Sequence, residues 1–358
     1  MEKKMKLNRM LNKNHIHAVL LTNEYNRRYF AKYNIAEGMA LISPEEQYLF
    51  TDSRYIEAAR KNLPNYNVIM IDRNCGYYDC LNKILKDWGI DIVGYEEDDL
   101  SCCEFKCLED VAKNLSITLV PVQSKINELR AVKTSDELDC IRKAQEITDK
   151  TFSDILKQIR TGITEKELKT ELIYRLYKNG AEEPAFDPVV VSGPNTSMPH
   201  GIAGDRVLQE GDLITLDFGA KWNGYCSDMT RTVALGSATD TMKRVYDIVL
   251  RAQEAGLAAT GAGKTGAEID EAARSVIRAE GFEEFFGHGY GHGIGLEVHE
   301  QPNCSPSWKK PLPANCVCSA EPGIYLPGMF GVRIEDMVIV TENGCENLTK
   351  SPKTFIIL

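Results

Sequence analysis

From residue 134 onward one order of elements occurs twice, and that repetition constrains the fold more than any other feature of the 358-residue chain. Thr134 with Glu137 and Thr164 with Glu167 are capping boxes, each opening a helix. The first helix carries apolar residues at helical spacing (Leu138, Ile141, Ile147, Phe152, Ile155 and Ile159), and Asn179-Gly180 closes the second. Strand-like runs follow at 189–191, 213–218 and 230–235. Then come a helix over about 240–258, a second one opened by Thr265 with Glu268 and ending at Gly281, a histidine-rich glycine stretch, and two further strands ending at 332–335 and 337–340. This order predicts a pseudo-duplicated α/β domain whose halves face each other across one cleft.

Charges inside these strands say what the cleft holds. Asp217 lies in an otherwise apolar run, where an unpaired carboxylate costs several kcal/mol or takes up a proton. Asn223-Gly224 signals a type I′ hairpin. A two-residue turn there sets Asp217 opposite Thr230 and places Asp228 diagonally across from Asp217 on the same sheet face. Glu321 and Glu335 are symmetric about Gly328, so a second hairpin sets them opposite each other. Four converging carboxylates repel one another, and two divalent cations would cancel their charge. Three of the six histidines fall in the glycine-rich stretch 287–300, which is too rich in glycine for a helix and leaves the backbone open to a ligand. Carboxylates with one imidazole suit Mn²⁺ or another hard-to-borderline ion better than a structural zinc, which is usually sulfur-bound. HExxH, the mononuclear zinc-protease motif, is absent.

The remainder of the chain narrows the setting. The first 120 residues alternate strand-like runs (18–21, 39–42, 48–50, 68–71, 92–94, 118–120) with amphipathic stretches near 54–62, 79–87 and 102–114. This is an α/β layer without a glycine-rich phosphate loop, which argues against a nucleotide site. A composition shift near residue 130 divides the chain into domains at 1–128 and 129–358. A net charge of -10 argues against nucleic acid as a partner, and no apolar run is long enough for a membrane span. The basic start MEKKMKLNRM is not followed by a signal-peptide core, so a cytoplasmic protein is expected. The eleven cysteines form no CxxC pair and read as mostly buried free thiols of a reducing compartment.

Several fragments together resemble the pita-bread metallopeptidases, the family of methionine aminopeptidase, aminopeptidase P and prolidase. They are LDFGAKWNGYCSDMTRT (216–232), HGIGLEVHE (292–300), EPGIY (321–325) and GVRIED (331–336). LLTNEYNRRYF (20–30) and LFTDSRYIEAA (49–59) resemble the creatinase-like N-terminal domain, which points to the proline-specific branch. The resemblance implies two divalent ions, Mn²⁺ or alternatively Co²⁺ or Zn²⁺, bridged by Asp217 and Glu335, with Asp228 on one ion and His292 with Glu321 on the other. It further implies that Glu321 shuttles the proton, that His200 and His299 donate to the substrate carbonyl and oxyanion, and that Arg333 and Tyr225 orient the bridging ligands. His288 matches no role and reads as structural.

The implied activity is release of an N-terminal residue that precedes proline, by a homodimer acting on short peptides with proline in second position. In prolidase-like members an arginine follows the second histidine by four residues; here the position is Asn303, which cannot form a bidentate charged clamp. That departure favours an Xaa-Pro aminopeptidase. A dipeptide-restricted prolidase is the alternative, and a non-catalytic peptide-binding protein a more distant one.

Overall fold

The computed structural model describes residues 2–34 and 36–358, which fall into two units, 1–130 and 131–358. The first unit is a mixed six-stranded sheet with helices on both faces. Its strands are β1 (Ala18–Leu21), β2 (Met39–Ile42), β3 (Gln47–Thr51), β4 (Asn67–Met70), β5 (Ile92–Tyr95) and β6 (Thr118–Pro121), in the order β4-β3-β2-β1-β5-β6. Central β1 is buried at every position, as expected of a strand covered on both faces. Leu7, Leu11, Val19 and Leu21 pack in one layer of core, Leu20, Leu81, Leu85 and Leu108 in the other.

Among the described residues of this part of the chain there are six helices: α1 (Glu2–Lys13), α2 (Glu24–Ala31), α3 (Ile56–Asn62), α4 (Tyr77–Trp88), α5 (Cys102–Leu115) and α6 (Gln123–Ala131). The sequence marked the third, fourth and fifth of these. It did not mark α1, where the lysine-rich surface hides the buried Leu7, Met10 and Leu11, nor α2 and α6.

The second unit contains the predicted duplication. Its first half has α7 (Ser135–Ile155), α8 (Glu165–Lys178), β7 (Val189–Ser192), β8 (Leu213–Phe218), β9 (Lys221–Trp222), β10 (Tyr225–Cys226) and β11 (Met229–Ala234), with the three longer strands in the antiparallel order β11-β8-β7. The capping boxes form as read: Thr164 N–H donates to the Glu167 carboxylate at 2.7 Å, and Thr134 N–H to Glu137 at 2.8 Å. The first of these helices stops earlier than its apolar spacing suggested. A 3₁₀ turn over 156–158 replaces its last turn, and Ile159 is extended.

The second half begins with α9 (Asp240–Ala259) and α10 (Gly266–Ala279). From the histidine stretch onward, where two strands were expected, seven form: β12 (Gly291–Gly293), β13 (Glu300–Cys304), β14 (Val317–Ala320), β15 (Gly323–Leu326), β16 (Phe330–Arg333), β17 (Asp336–Thr341) and β18 (Gly344–Asn347). Five make a sheet in the order β13-β12-β14-β17-β18, while β15 and β16 pair separately. Each half packs its helix pair and sheet around its own core, with Leu168, Leu172 and Phe218 in one and Ile269, Tyr290 and Val338 in the other. No helix among the described residues is long and apolar enough to cross a membrane.

Candidate metal centre

The hairpin register sets the first two carboxylates. Asn223 and Gly224 both have positive φ, 48° and 78°, the geometry of a type I′ turn. The strands it joins pair Asp217 with Thr230 and Phe218 with Met229, the register inferred from the sequence. Gly219 lets the hairpin bend between β8 and β9: a Cβ there would lie 1.8 Å from the Ser227 carbonyl oxygen. Asp228 stands immediately before β11, past that bend. The β15–β16 ladder pairs Gly323 with Arg333, and its continuation brings Glu321 and Glu335 opposite each other. Glu335 is fixed by its backbone, its N–H donating to the Thr230 carbonyl at 3.1 Å and its carbonyl accepting from Arg231 Nη1 at 2.5 Å.

These residues meet in one cleft of about 530 Å³, whose wall includes Asp217, Asp228, His292, Glu321, Glu335, His200 and His299. His292 Nε2 lies 3.1 Å from Glu321 Oε1 and 3.6 Å from Asp228 Oδ2. Its Nδ1 lies 3.2 Å from the Gly293 carbonyl oxygen, which only accepts, so Nδ1 carries the proton and Nε2 is free to act as a ligand. One donor atom each from Asp228, His292 and Glu335 lies within 4.8 Å of the others.

The donor set fits cations on its own geometry. Among the described residues, Asp217 Oδ1, Asp228 Oδ1 and Glu335 Oε1 are buried with no hydrogen-bond partner. In each, the second oxygen is engaged: Asp217 Oδ2 accepts from Arg333 Nη2 at 2.6 Å, Glu335 Oε2 from the Thr230 hydroxyl at 2.7 Å, and Asp228 Oδ2 faces His292. Three buried, unpartnered carboxylate oxygens in one cluster are costly as bare anions and call for bound cations or protons.

Titration preferences carry the same message. Burial, aided by neighbouring carboxylates, pushes Asp228 and Glu335 well above the usual carboxylate range, and it raises Asp217 despite Arg333. Burial alone would lower His292, but the hydrogen bond and charge of Glu321, with Asp228, draw it up to about 9. Burial likewise disfavours the charge on Glu321, yet His292 holds that carboxyl down at about 2. The cluster is short of positive charge. His299 lies ring to ring with His292, centroids 4.1 Å apart; burial and the neighbouring histidines lower it to about 4, so its imidazole is neutral at pH 7.

Other expected residues fall as follows. His200 is exposed at the cleft wall. Arg333 reaches three groups at once, with Nε donating to the Thr230 hydroxyl at 3.0 Å and Nη1 to the Tyr325 hydroxyl at 2.9 Å, besides Asp217. Tyr225 points elsewhere: its hydroxyl donates to Glu137 Oε1 in α7 at 2.7 Å, and the tyrosine beside Arg333 is Tyr325. His288, read as structural, also lines the cleft. Its Nδ1 lies 2.8 Å from the Gly289 carbonyl oxygen, so Nε2 accepts from the Tyr325 hydroxyl at 2.9 Å. Sequence reasoning missed Tyr325 and Thr230, the two hydroxyls that meet Arg333. Asn303 lines the cleft together with Lys169, which pairs with Asp187 at 2.5 Å.

A carboxylate-rich centre of this kind, sunk between the halves of a duplicated α/β domain, is what a metal-dependent hydrolase requires. Comparison with known proteins gives the family. Residues 139–342 match metallopeptidase family M24, and residues 4–132 match the creatinase/prolidase N-terminal domain. The chain belongs to the M24 metallopeptidases, and the creatinase-like domain followed by a pita-bread catalytic domain is the fold expected from its sequence. It is similar to a structure described as the Xaa-Pro dipeptidase of Bacillus anthracis, with a TM-score of 0.94 and 40 % identity over 100 % of this chain and 99 % of that one. It is also similar to the X-Pro aminopeptidase of Thermotoga maritima, with a TM-score of 0.89 and 39 % identity over 96 % and 98 %. The Xaa-Pro dipeptidase of Pyrococcus horikoshii is 36 % identical over 99 % of each chain.

Proposed function

We propose that this protein is a two-cation Xaa-Pro peptidase in which Asp217, Asp228, His292, Glu321 and Glu335 would hold the metal ions. The reading is carried by the three buried, unpartnered carboxylate oxygens in the cleft. When bound, the cations supply Lewis acidity and make water a hydroxide nucleophile at neutral pH. The chain's own groups do the rest. Glu321 takes the proton from the attacking water and returns it to the departing proline nitrogen. Neutral His299 donates to the oxygen on which charge develops, and His200 at the cleft wall to the substrate carbonyl. Arg333 holds Asp217 by one oxygen and leaves the other for the cluster.

Release of an N-terminal residue from longer Xaa-Pro peptides is favoured by Asn303, which offers no charged clamp for a dipeptide carboxylate. The dipeptidase reading is favoured by two of the similar proteins, which are described as Xaa-Pro dipeptidases. An Xaa-Pro dipeptide and an Xaa-Pro-Yaa tripeptide, assayed on protein reconstituted with Mn²⁺, separate the two. Faster turnover of the tripeptide is expected; clear preference for the dipeptide selects prolidase. Equal activity after chelation, or no cleavage of either peptide, overturns the proposal. The oxygen-rich donor set supports Mn²⁺ as the metal, with Co²⁺ or Zn²⁺ the alternatives. All eleven cysteines are free thiols, which fits a cytoplasmic setting. The homodimer carried by the family resemblance is checked by light scattering of the eluting protein.

A further inference from the structure

Among the described residues Lys133 is the one buried lysine. Its Nζ donates to Glu300 Oε1 at 2.8 Å, with side chains only 1 % and 6 % exposed. Attraction within such a pair does little more than offset the loss of hydration of both ions, so stability alone is a poor account of it. The location is more informative. Lys133 precedes the cap of α7, and its N–H is anchored on the Asn315 carbonyl at 3.0 Å. Glu300 directly follows His299 and pairs with Gly293 across β12–β13.

Between Gly293 and Glu300 the chain makes a loop, and the Glu300 carboxylate fills its interior. A Cβ on Gly295 would lie 2.2 Å from Glu300 Oε1, so a side chain there would displace that carboxylate from the position it shares with Lys133. The loop is also closed by Gly295 N–H donating to the Glu297 carbonyl at 2.9 Å, and it is tied to β10 by Cys226 N–H donating to the Gly295 carbonyl at 2.7 Å. Its last residue, His299, presents its ring to the cleft. We infer that Lys133 is a positioning residue for His299, acting through the Glu300 carboxylate that fills the loop. The inference rests on the proposed role of His299 at the substrate.

The test uses full-length protein carrying Lys133→Met, Lys133→Arg, or Lys133→Met together with Glu300→Gln. The first readout is independent of activity: the rate at which diethyl pyrocarbonate modifies His299, followed by peptide mass spectrometry. The second is kcat and KM on an Xaa-Pro peptide, with metal content measured beside it. In Lys133→Met, His299 modification is expected to change at least about fivefold. kcat should fall by about 10–100-fold at unchanged metal content and nearly unchanged KM, the effect of a reacting group misplaced by an ångström or less. Lys133→Arg should recover part of both. The double variant removes the uncompensated charge, so it should regain thermal stability while His299 reactivity and kcat stay altered; it also carries the test should Lys133→Met fail to fold. Wild-type values of both readouts in Lys133→Met, or their restoration in the double variant, overturn the inference. If the wild type cleaves no Xaa-Pro peptide, the proposed function fails while His299 reactivity still decides the positioning role.

Discussion

Asp228 shows what a single side chain contributes here. It is buried beside Asp217, Glu321 and Glu335, with one oxygen unpartnered, so it is a liability to the metal-free protein and a ligand to the loaded one. Asp228→Asn should therefore act in opposite directions. In chelator it should raise the melting temperature by about 2–4 °C, roughly the effect of removing one repulsive kcal/mol from a unit this size. With Mn²⁺ added, hydrolysis should fall by at least about 10³-fold, the loss of several kcal/mol of cation-dependent stabilisation. Calorimetry with and without metal, followed by peptide assay, checks both signs. Arg333→Lys tests the other side of the cluster. A point ammonium cannot span Asp217, Thr230 and Tyr325 together, so kcat should drop about 10–100-fold with weaker metal binding, measured by kinetics and metal titration. The acids were legible in the sequence because a carboxylate within an apolar strand demands an explanation. Thr230 and Tyr325 were not, since hydroxyls in strands are ordinary. The role that the family resemblance implied for Tyr225 was not checkable from the sequence, since nothing in it says that the hydroxyl meets Glu137 of α7.

Secondary elements were legible where a turn or a cap announced them. The Asn223-Gly224 turn set the β8–β11 register, and with it Asp217 opposite Thr230, from two residues. The bend at Gly219 was invisible, because one glycine in a strand does not say what approaches it. Gly219→Ala brings a methyl against the Ser227 carbonyl, so it should destabilise the protein by about 1–3 kcal/mol and weaken metal binding by displacing Asp228. Urea unfolding and metal titration of the variant check this. In the first unit, α2 had no apolar periodicity to reveal it. It is nucleated by Asn23, whose side chain accepts from Tyr25 and Asn26 N–H, and by the distant Glu96, whose carboxylate accepts from Asn23 N–H at 2.8 Å. Burial raises Glu96 to about 7 against these hydrogen bonds. The folded state thus holds this proton more tightly than the unfolded chain, whose glutamate titrates near the ordinary 4.5. Its contribution is fullest below about pH 4.5 and is lost as pH rises towards 7, amounting to about 3 kcal/mol. Urea unfolding of the first unit at pH 5 and pH 8 should show that loss in the wild type and a flatter profile in Glu96→Gln.

At the scale of the molecule, the cations and a protein-only staple are two separate ties between the halves of the catalytic unit. Asp217 and Asp228 come from the first half, His292, Glu321 and Glu335 from the second, so bound cations would link them. The duplicated order of elements made that cleft legible, whereas β12 stayed hidden because the glycine-rich stretch has no alternation of apolar and polar residues. The second tie is Arg231 in β11, which is buried against β17: it pairs with Asp336 at 2.8 Å and donates to the Ser351 and Pro352 carbonyls. Asp336 is held in turn by Lys353, Gln253 and Asn347, and the charges of Arg231 and Lys353 keep its carboxyl below the usual range despite burial. Since this staple needs no metal, chelation should abolish activity without unfolding the sheets. Binding at a hundredfold excess over the dissociation constant adds about 2.7 kcal/mol per site, so metal removal should lower the melting transition of the second unit alone. Far-UV circular dichroism of the chelated protein should stay native, and activity should return when Mn²⁺ is restored. Collapse of that spectrum on chelation would instead assign closure of the cleft to the cations, with Arg231 and Asp336 insufficient to hold the halves together.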